Sequence, residues 1–241
     1  MTVPFLREDE VDVRAPSPLL LIAETRAYAE YLRFLAVRAK LLRELPRGDG
    51  HAVLVIPGFG TRDHSTRPLR EMLRALGYDA RGWGQGRNLG MRGGIRDALR
   101  TLIRQLHERE GRKVSLVGWS LGGVFARELA RAAPECVRRV FTLGSPFNGH
   151  PNANNVYALW KIMNRGAAAK LDWDGFQRRR TPPPVPCTAI HSKNDGIVAW
   201  RCSVEEQAPN TENVEVRGSH FGLGYNPEVI RVIADRLARP A

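Results

Sequence analysis

The chain has 241 residues, 43% hydrophobic and 26% charged, enough for one sizeable core and suited to a single α/β domain rather than two. Its formal charge of +12 admits an anionic partner. However, the arginines are scattered, the only sharp basic run is Arg178-Arg179-Arg180, and there is no aromatic-and-basic RNA signature or zinc-ligand spacing, which excludes a nucleic-acid reader and a metal site.

The charge then reads as a solvated basic surface, with weak contact to an anionic membrane surface as its functional counterpart. Cys136, Cys187 and Cys202 form no CxxC and no even set, as in a reduced protein with inert thiols; a Cys187–Cys202 bridge is the alternative in an oxidising compartment. No apolar run approaches the eighteen residues of a membrane span, and Leu19-Leu20-Leu21-Ile22-Ala23 is too short for a signal-peptide core. The expected location is cytoplasmic.

In chain order, residues 1–18 are polar, contain Pro4, Pro16 and Pro18, and read as an irregular arm. Residues 19–45 predict one long helix with Tyr28, Tyr31, Leu32, Leu35, Leu42 and Leu45 on an apolar face, packed on the domain or on a partner chain. Ala52 to Ile56 is an apolar strand that stops at Pro57-Gly58-Phe59-Gly60, a loop able to turn backbone N–H groups toward a ligand. Leu69, Met72, Leu73 and Leu76 mark a helix closed by Gly77. Tyr78 to Trp83 is a strand, and Ile95, Leu99, Leu102, Ile103 and Leu106 mark the next helix.

Val114 to Trp119 is a buried strand running into Gly118-Trp119-Ser120-Leu121-Gly122 and then a helical pattern. Strand, sharp turn and helix give Gly-x-Ser-x-Gly the context of a nucleophile elbow, with the serine Oγ raised above the sheet at a helix N-terminus. The plain alternative is a glycine-rich turn in which Ser120 only caps the helix. Val137 to Leu143, Val185 to His191 and Asn213 to Val216 are further strands, and Val229, Ile230, Ile233 and Leu237 mark a closing helix. The alternation predicts a mostly parallel sheet of about six strands with helices on both faces.

Residues 145–184 break that rhythm. They carry helical patches and exposed aromatics and end in Thr181-Pro182-Pro183-Pro184, as a lid over an apolar site does. A structural excursion without gating is the alternative.

A serine nucleophile needs a base, and the base needs an orienting carboxylate. In parallel sheets such groups gather at the carboxyl ends of the strands. Asp195 follows the strand after the insertion, and His220 follows the last strand. His51 starts a strand and so lies at the wrong end, and His107 is on a helix. His64 and His150 are loop residues that could contact a substrate, and His191 borders Asp195. Asp172 and Asp174 lie inside the insertion. The constellation is therefore Ser120, Asp195 and His220, with backbone N–H groups of Phe59 and Leu121 as an oxyanion hole. Trp119, Phe147, Trp160 and Phe221 are the candidate substrate pocket.

These residues resemble the α/β-hydrolase superfamily, and within it the serine esterases and lipases. The resemblance runs from about residue 51 to 238 and is carried by Val-Ile-Pro-Gly-Phe-Gly at 55–60, Gly-Trp-Ser-Leu-Gly-Gly at 118–123, Asn-Asp-Gly-Ile-Val at 194–198 and Gly-Ser-His-Phe-Gly-Leu at 218–223. It implies an N-terminal arm and helix over 1–50 and a hydrolase domain over 51–241. The antiparallel strands that commonly open the family are not visible; a helix takes their place. The expected activity is hydrolysis of a carboxylic ester with an apolar acyl or alkyl group, on a small-molecule or lipid substrate, through an acyl-enzyme and without cofactor. Acyl transfer by the same residues, a peptidase or thioesterase variant, and a non-catalytic hydrolase-fold binding protein are the alternatives, because the fold alone does not set the chemistry.

Overall fold

The computed structural model describes residues 14–91, 93–148 and 179–240. Elements are numbered within those residues. Two N-terminal helices, α1 (Pro18–Ala23) and α2 (Ala27–Glu44), precede β1 (Ala52–Ile56), α3 (Arg67–Ala75), β2 (Asp79–Gly82), α4 (Ile95–Glu110), β3 (Val114–Trp119), α5 (Leu121–Ala132) and β4 (Val137–Leu143). After the insertion come β5 (Cys187–His191), β6 (Thr211–Glu215) and α6 (Pro227–Leu237).

The six strands pair in the order β2-β1-β3-β4-β5-β6, and every pairing is parallel. The reversal of strand order beside β1 and β3 opens a crevice at their carboxyl ends, where parallel sheets bind ligands. The period of two along each strand sorts the core into two layers. Val53 and Val55 pack with Leu69, Met72 and Leu73 of α3, Phe34 and Leu41 of α2, and Ile230 and Ile233 of α6. Ala52, Leu54 and Ile56 point the other way, toward Leu99 and Ile103 of α4 and Phe125 and Leu129 of α5. Helices therefore cover both faces, as the alternating sequence pattern predicts.

The expected single helix over 19–45 is broken. Ser17 caps α1 and Pro18 occupies its first turn, a position that suits proline because its missing N–H has no partner there anyway. At Glu24–Arg26 the chain tightens into a 3₁₀ turn. There the Thr25 hydroxyl donates to the Ile22 carbonyl at 3.0 Å, competing with the helical ladder, and the Glu24 side chain turns inward to 4% exposure. The buried stripe also differs from the one expected: Ala27, Phe34 and Leu41 face the core, whereas Tyr28 and Leu32 are 82% and 66% exposed. The expected stripe lies wholly on α2 and its C-cap, so the difference is one of face: the helix turns the seven-residue row Ala27, Phe34 and Leu41 to the core and leaves Tyr28 and Leu32 outside.

All three cysteines are free and buried, so the alternative Cys187–Cys202 bridge is not formed. Burial pushes the Cys187 thiol up to about 11 and the Cys202 thiol up to about 12, which leaves both as unreactive thiols at neutral pH. Among the described residues no helix is long and apolar enough to cross a membrane, and no cluster of His, Cys, Asp or Glu could hold a metal ion.

Candidate active site

The turn from β3 to α5 is built from close backbone contacts. A Cβ on Gly118 would lie 2.3 Å from the Gly122 carbonyl oxygen and the Gly123 backbone, and one on Gly122 would lie 2.3 Å from the Ile56 carbonyl oxygen. Only glycine fits either position. Between them Ser120 is held at φ 53°, ψ −123°, the only non-glycine residue with positive φ among the described residues. Such a conformation costs of order 1–3 kcal/mol and persists only where its surroundings over-determine it. Here the Ser120 N–H donates to the Leu143 carbonyl of β4 at 2.8 Å, which pins the turn to the neighbouring strand. Ser120 is the N-cap of α5, at the positive end of the helix dipole.

The loop after β1 runs beside this turn: a Cβ on Gly58 would sit 3.3 Å from the Ser120 Cβ. Asn88 holds the loop in place. Its side-chain amide donates to the Pro57 carbonyl at 2.7 Å, its carbonyl accepts from Gly60 N–H at 2.7 Å, and its N–H donates to the Thr61 carbonyl at 2.8 Å. Phe59 sits at the tip between these anchors, and Leu121 begins α5. Leu121 thus follows Ser120 in the chain, and Phe59 follows Gly58, the residue that packs against the Ser120 side chain.

Asp195 and His220 meet although they lie on separate loops. His220 Nδ1 is 2.6 Å from Asp195 Oδ2. The other carboxylate oxygen, Oδ1, accepts from the Ile197 and Val198 N–H groups at 2.8 Å each, so the carboxylate cannot rotate away. Ser192 Oγ donates across to the Gly218 carbonyl at 2.7 Å, joining the two loops. Trp119, the neighbour of Ser120, donates its indole N–H to the His220 carbonyl at 3.1 Å. Gly144, the neighbour of Leu143, leaves the space in which a Cβ would come 2.9 Å from Asp195 Oδ2 and 3.1 Å from His220 Nδ1. The ends of β3 and β4 therefore close upon the pair from below. Burial disfavours the imidazolium, but the Asp195 charge and hydrogen bond, with the more distant Glu24 carboxylate, outweigh it and raise the His220 pKa above its ordinary value.

The remaining histidines have other roles. His51 is fully buried at the opposite end of the sheet, between Asp49 at 2.5 Å and Ser115 Oγ at 2.9 Å. His191 stacks on Trp200 with ring centroids 5.6 Å apart. His64 is exposed and lines a surface groove. Of the expected pocket residues, Trp119 and Phe147 are buried in the core, the Phe147 ring lying 3.9 Å beneath the Arg127 guanidinium. Phe221, next to His220, is 45% exposed and lines the same groove of about 970 Å³ with Leu21, Ile22, Tyr28, Tyr31 and Tyr225. Trp160, His150, Asp172, Asp174 and most of the insertion lie outside the described residues.

Three participants escaped the sequence reading: Asn88, and the carboxylates of Glu24 and Glu30. Glu24 is buried against the Asp195 and His220 loops, and Glu30 bonds Ser219 through both its backbone N–H at 3.0 Å and its hydroxyl at 2.5 Å. In a regular helix these positions read as solvated charges; only the acidic residue directly after an apolar run, Leu-Leu-Leu-Ile-Ala-Glu, hints at burial.

Residues 52–238 match the family model described as the alpha/beta hydrolase family, and the chain belongs to that family. Solved structures show the same fold at low identity. Lipase B of Aspergillus fumigatus matches with a TM-score of 0.58 at 16% identity, over 82% of this chain and 55% of that one. The monoacylglycerol lipase of Paleococcus ferrophilus gives 0.54 at 18%, over 78% and 95%. The mature Bacillus licheniformis lipase BlEst2 gives 0.58 at 18%, over 80% and 94%. The chain thus spans about half of the fungal lipase and nearly all of the other two. The sequence matches none of the curated proteins with which it was compared.

Proposed function

We propose that the protein is a serine hydrolase that cleaves carboxylic esters with an apolar acyl or alkyl group. The observation that carries this reading is the buried Asp195–His220 pair at the same sheet end as a conformationally strained Ser120. With Nδ1 turned to the carboxylate, the imidazole presents Nε2 as the base. His220 takes the Ser120 Oγ proton as Oγ bonds to the ester carbonyl carbon. The oxyanion is received by the Phe59 and Leu121 N–H groups. Collapse expels the alcohol, which takes the proton from His220, and water then repeats the sequence to release the acid. The apolar groove beside Phe221 and the lipases among the structural neighbours favour an apolar substrate.

The test is the initial rate on p-nitrophenyl esters of increasing chain length, run beside Ser120→Ala. Activity should vanish in the variant while the melting temperature holds. Substantial residual turnover would move the nucleophile elsewhere. A preference for long chains would favour lipid substrates, and one for short chains a small-ester esterase.

A further inference from the structure

The two loops that carry Asp195 and His220 share a third anchor, from the N-terminal turn. Glu24 Oε1 accepts from Gly196 N–H at 2.8 Å and from His220 N–H at 2.9 Å, and Oε2 accepts from Phe221 N–H at 3.0 Å. Glu30 extends the row by taking Ser219 N–H at 3.0 Å. Three consecutive amides, those of residues 219, 220 and 221, thus end on two carboxylates from the N-terminal helices. These amides open the 3₁₀ turn Phe221–Tyr225, where backbone donors lack partners of their own. The approach is close: a Cβ on Gly196 would lie 2.3 Å from the Leu20 carbonyl oxygen. Arg26 adds a hydrogen bond to the Asn194 carbonyl at 2.5 Å and one to Glu30 at 3.3 Å.

We infer that Glu24 is a positioning residue for the proposed active site, fixing the loop of the base to the loop of the acid. This rests on the serine-hydrolase reading of Ser120, Asp195 and His220. The geometry assigns the role to Glu24 because one carboxylate spans residues on either side of the Asp195–His220 bond, and because it does so while buried, where charge-assisted hydrogen bonds are strong. Loss of the anchor would let the imidazole drift relative to Ser120, and a displacement of about 1 Å can cost on the order of 10²-fold in rate. The charged groups facing His220 are Asp195, from the loop after β5, and Glu24, from the N-terminal turn. Glu30, paired with Arg26, stands one residue away on Ser219.

The experiment measures the rate at which a fluorophosphonate labels Ser120 as a function of pH, in the wild type, Glu24→Gln and Glu24→Asp, with thermal melts alongside. In that reaction the Ser120 oxygen bonds to phosphorus, fluoride leaves and His220 receives the proton, so no substrate need be known. Glu24→Gln should label about 10- to 100-fold more slowly, with the acid limb of its profile moved to lower pH, because a neutral amide no longer favours the imidazolium. Glu24→Asp keeps the charge and should recover part of the rate with the limb in its wild-type place. Wild-type labelling and an unmoved limb in Glu24→Gln, with or without a lowered melting temperature, would overturn the inference. Should Glu24→Gln not fold, a full wild-type rate in Glu24→Asp would overturn it, and a reduced rate with the limb in place would support it. A wild type that does not label at Ser120 would instead overturn the serine-hydrolase reading itself.

Discussion

Asp195 and His220 are joined by a 2.6 Å hydrogen bond while both side chains are almost wholly excluded from water. The second oxygen of Asp195 is already committed to two backbone N–H groups. Replacement by asparagine lets the side-chain oxygen keep those two bonds, which turns the amide NH₂ toward His220 Nδ1. The ring must then accept at Nδ1 and carry its proton on Nε2, the wrong tautomer for a base. Asp195→Asn should fold and melt near the wild-type temperature yet lose on the order of 10⁴ in kcat. An unchanged rate would mean that another acid orients His220.

The same pair sets the pH dependence. In the proposed mechanism His220 must be neutral to accept the serine proton, and its pKa lies above the ordinary 6.5. The acid limb of kcat/KM should therefore fall above pH 6.5, with activity rising as pH rises through it. For stability the sign is opposite. A raised folded pKa means that the pair contributes fully below the unfolded value and loses that contribution as pH climbs through the folded one. A pH–rate profile with an acid limb below the ordinary histidine value would contradict both statements.

The order and type of the elements from Ala52 onward were legible because the inner strands β1 and β3 are short apolar runs and the segments between strands carry helical periodicity, while the polar edge strands β2 and β6 follow in the same alternation. The position of Ser120, Asp195 and His220 followed from the same reasoning, since a parallel sheet brings the ends of β3, β5 and β6 to one edge. Glu24, Glu30 and Asn88 were illegible for a physical reason. Their partners are backbone amides and carbonyls, which every residue carries, so no side-chain pattern marks the bond. Glu24 further depends on the 3₁₀ break, and a reading that continues the helix places its carboxylate in solvent. Phe147 shows the same limit: an aromatic in a loop beside a site looks the same in sequence whether it lines a pocket or underlies Arg127.

His51 gives a stability effect far from the site. Burial pushes its pKa down, more than the neighbouring Asp49 raises it. The unfolded chain then binds the extra proton in the window below pH 6.5, so stability is present above that value and declines as pH falls. The melting temperature should drop between about pH 7 and pH 5, and His51→Gln, though less stable throughout, should show a shallower slope. An equal slope in the variant would assign the acid lability to His191, whose pKa burial also lowers.

Arg127 and Glu205 form an ion pair with both side chains fully buried, and the Phe147 ring lies beneath the guanidinium. The guanidinium also donates to the carbonyls of Arg179, Arg180 and Thr181 at 2.7, 3.2 and 3.0 Å, fastening the end of the insertion to the elbow helix. Desolvation lowers the Arg127 pKa to about 10, which still leaves it charged at neutral pH. Removing the arginine alone strands a carboxylate in the core with the Cys187 thiol, 3.1 Å away, as its nearest side-chain donor. Arg127→Met should therefore cost about 3–5 kcal/mol in urea unfolding. The double variant Arg127→Met, Glu205→Leu removes both charges and should recover most of that loss, because an apolar pair of similar volume avoids the desolvation of either ion. If the double variant were as unstable as the single, the loss would lie in the released carbonyls of 179–181 rather than in the stranded charge.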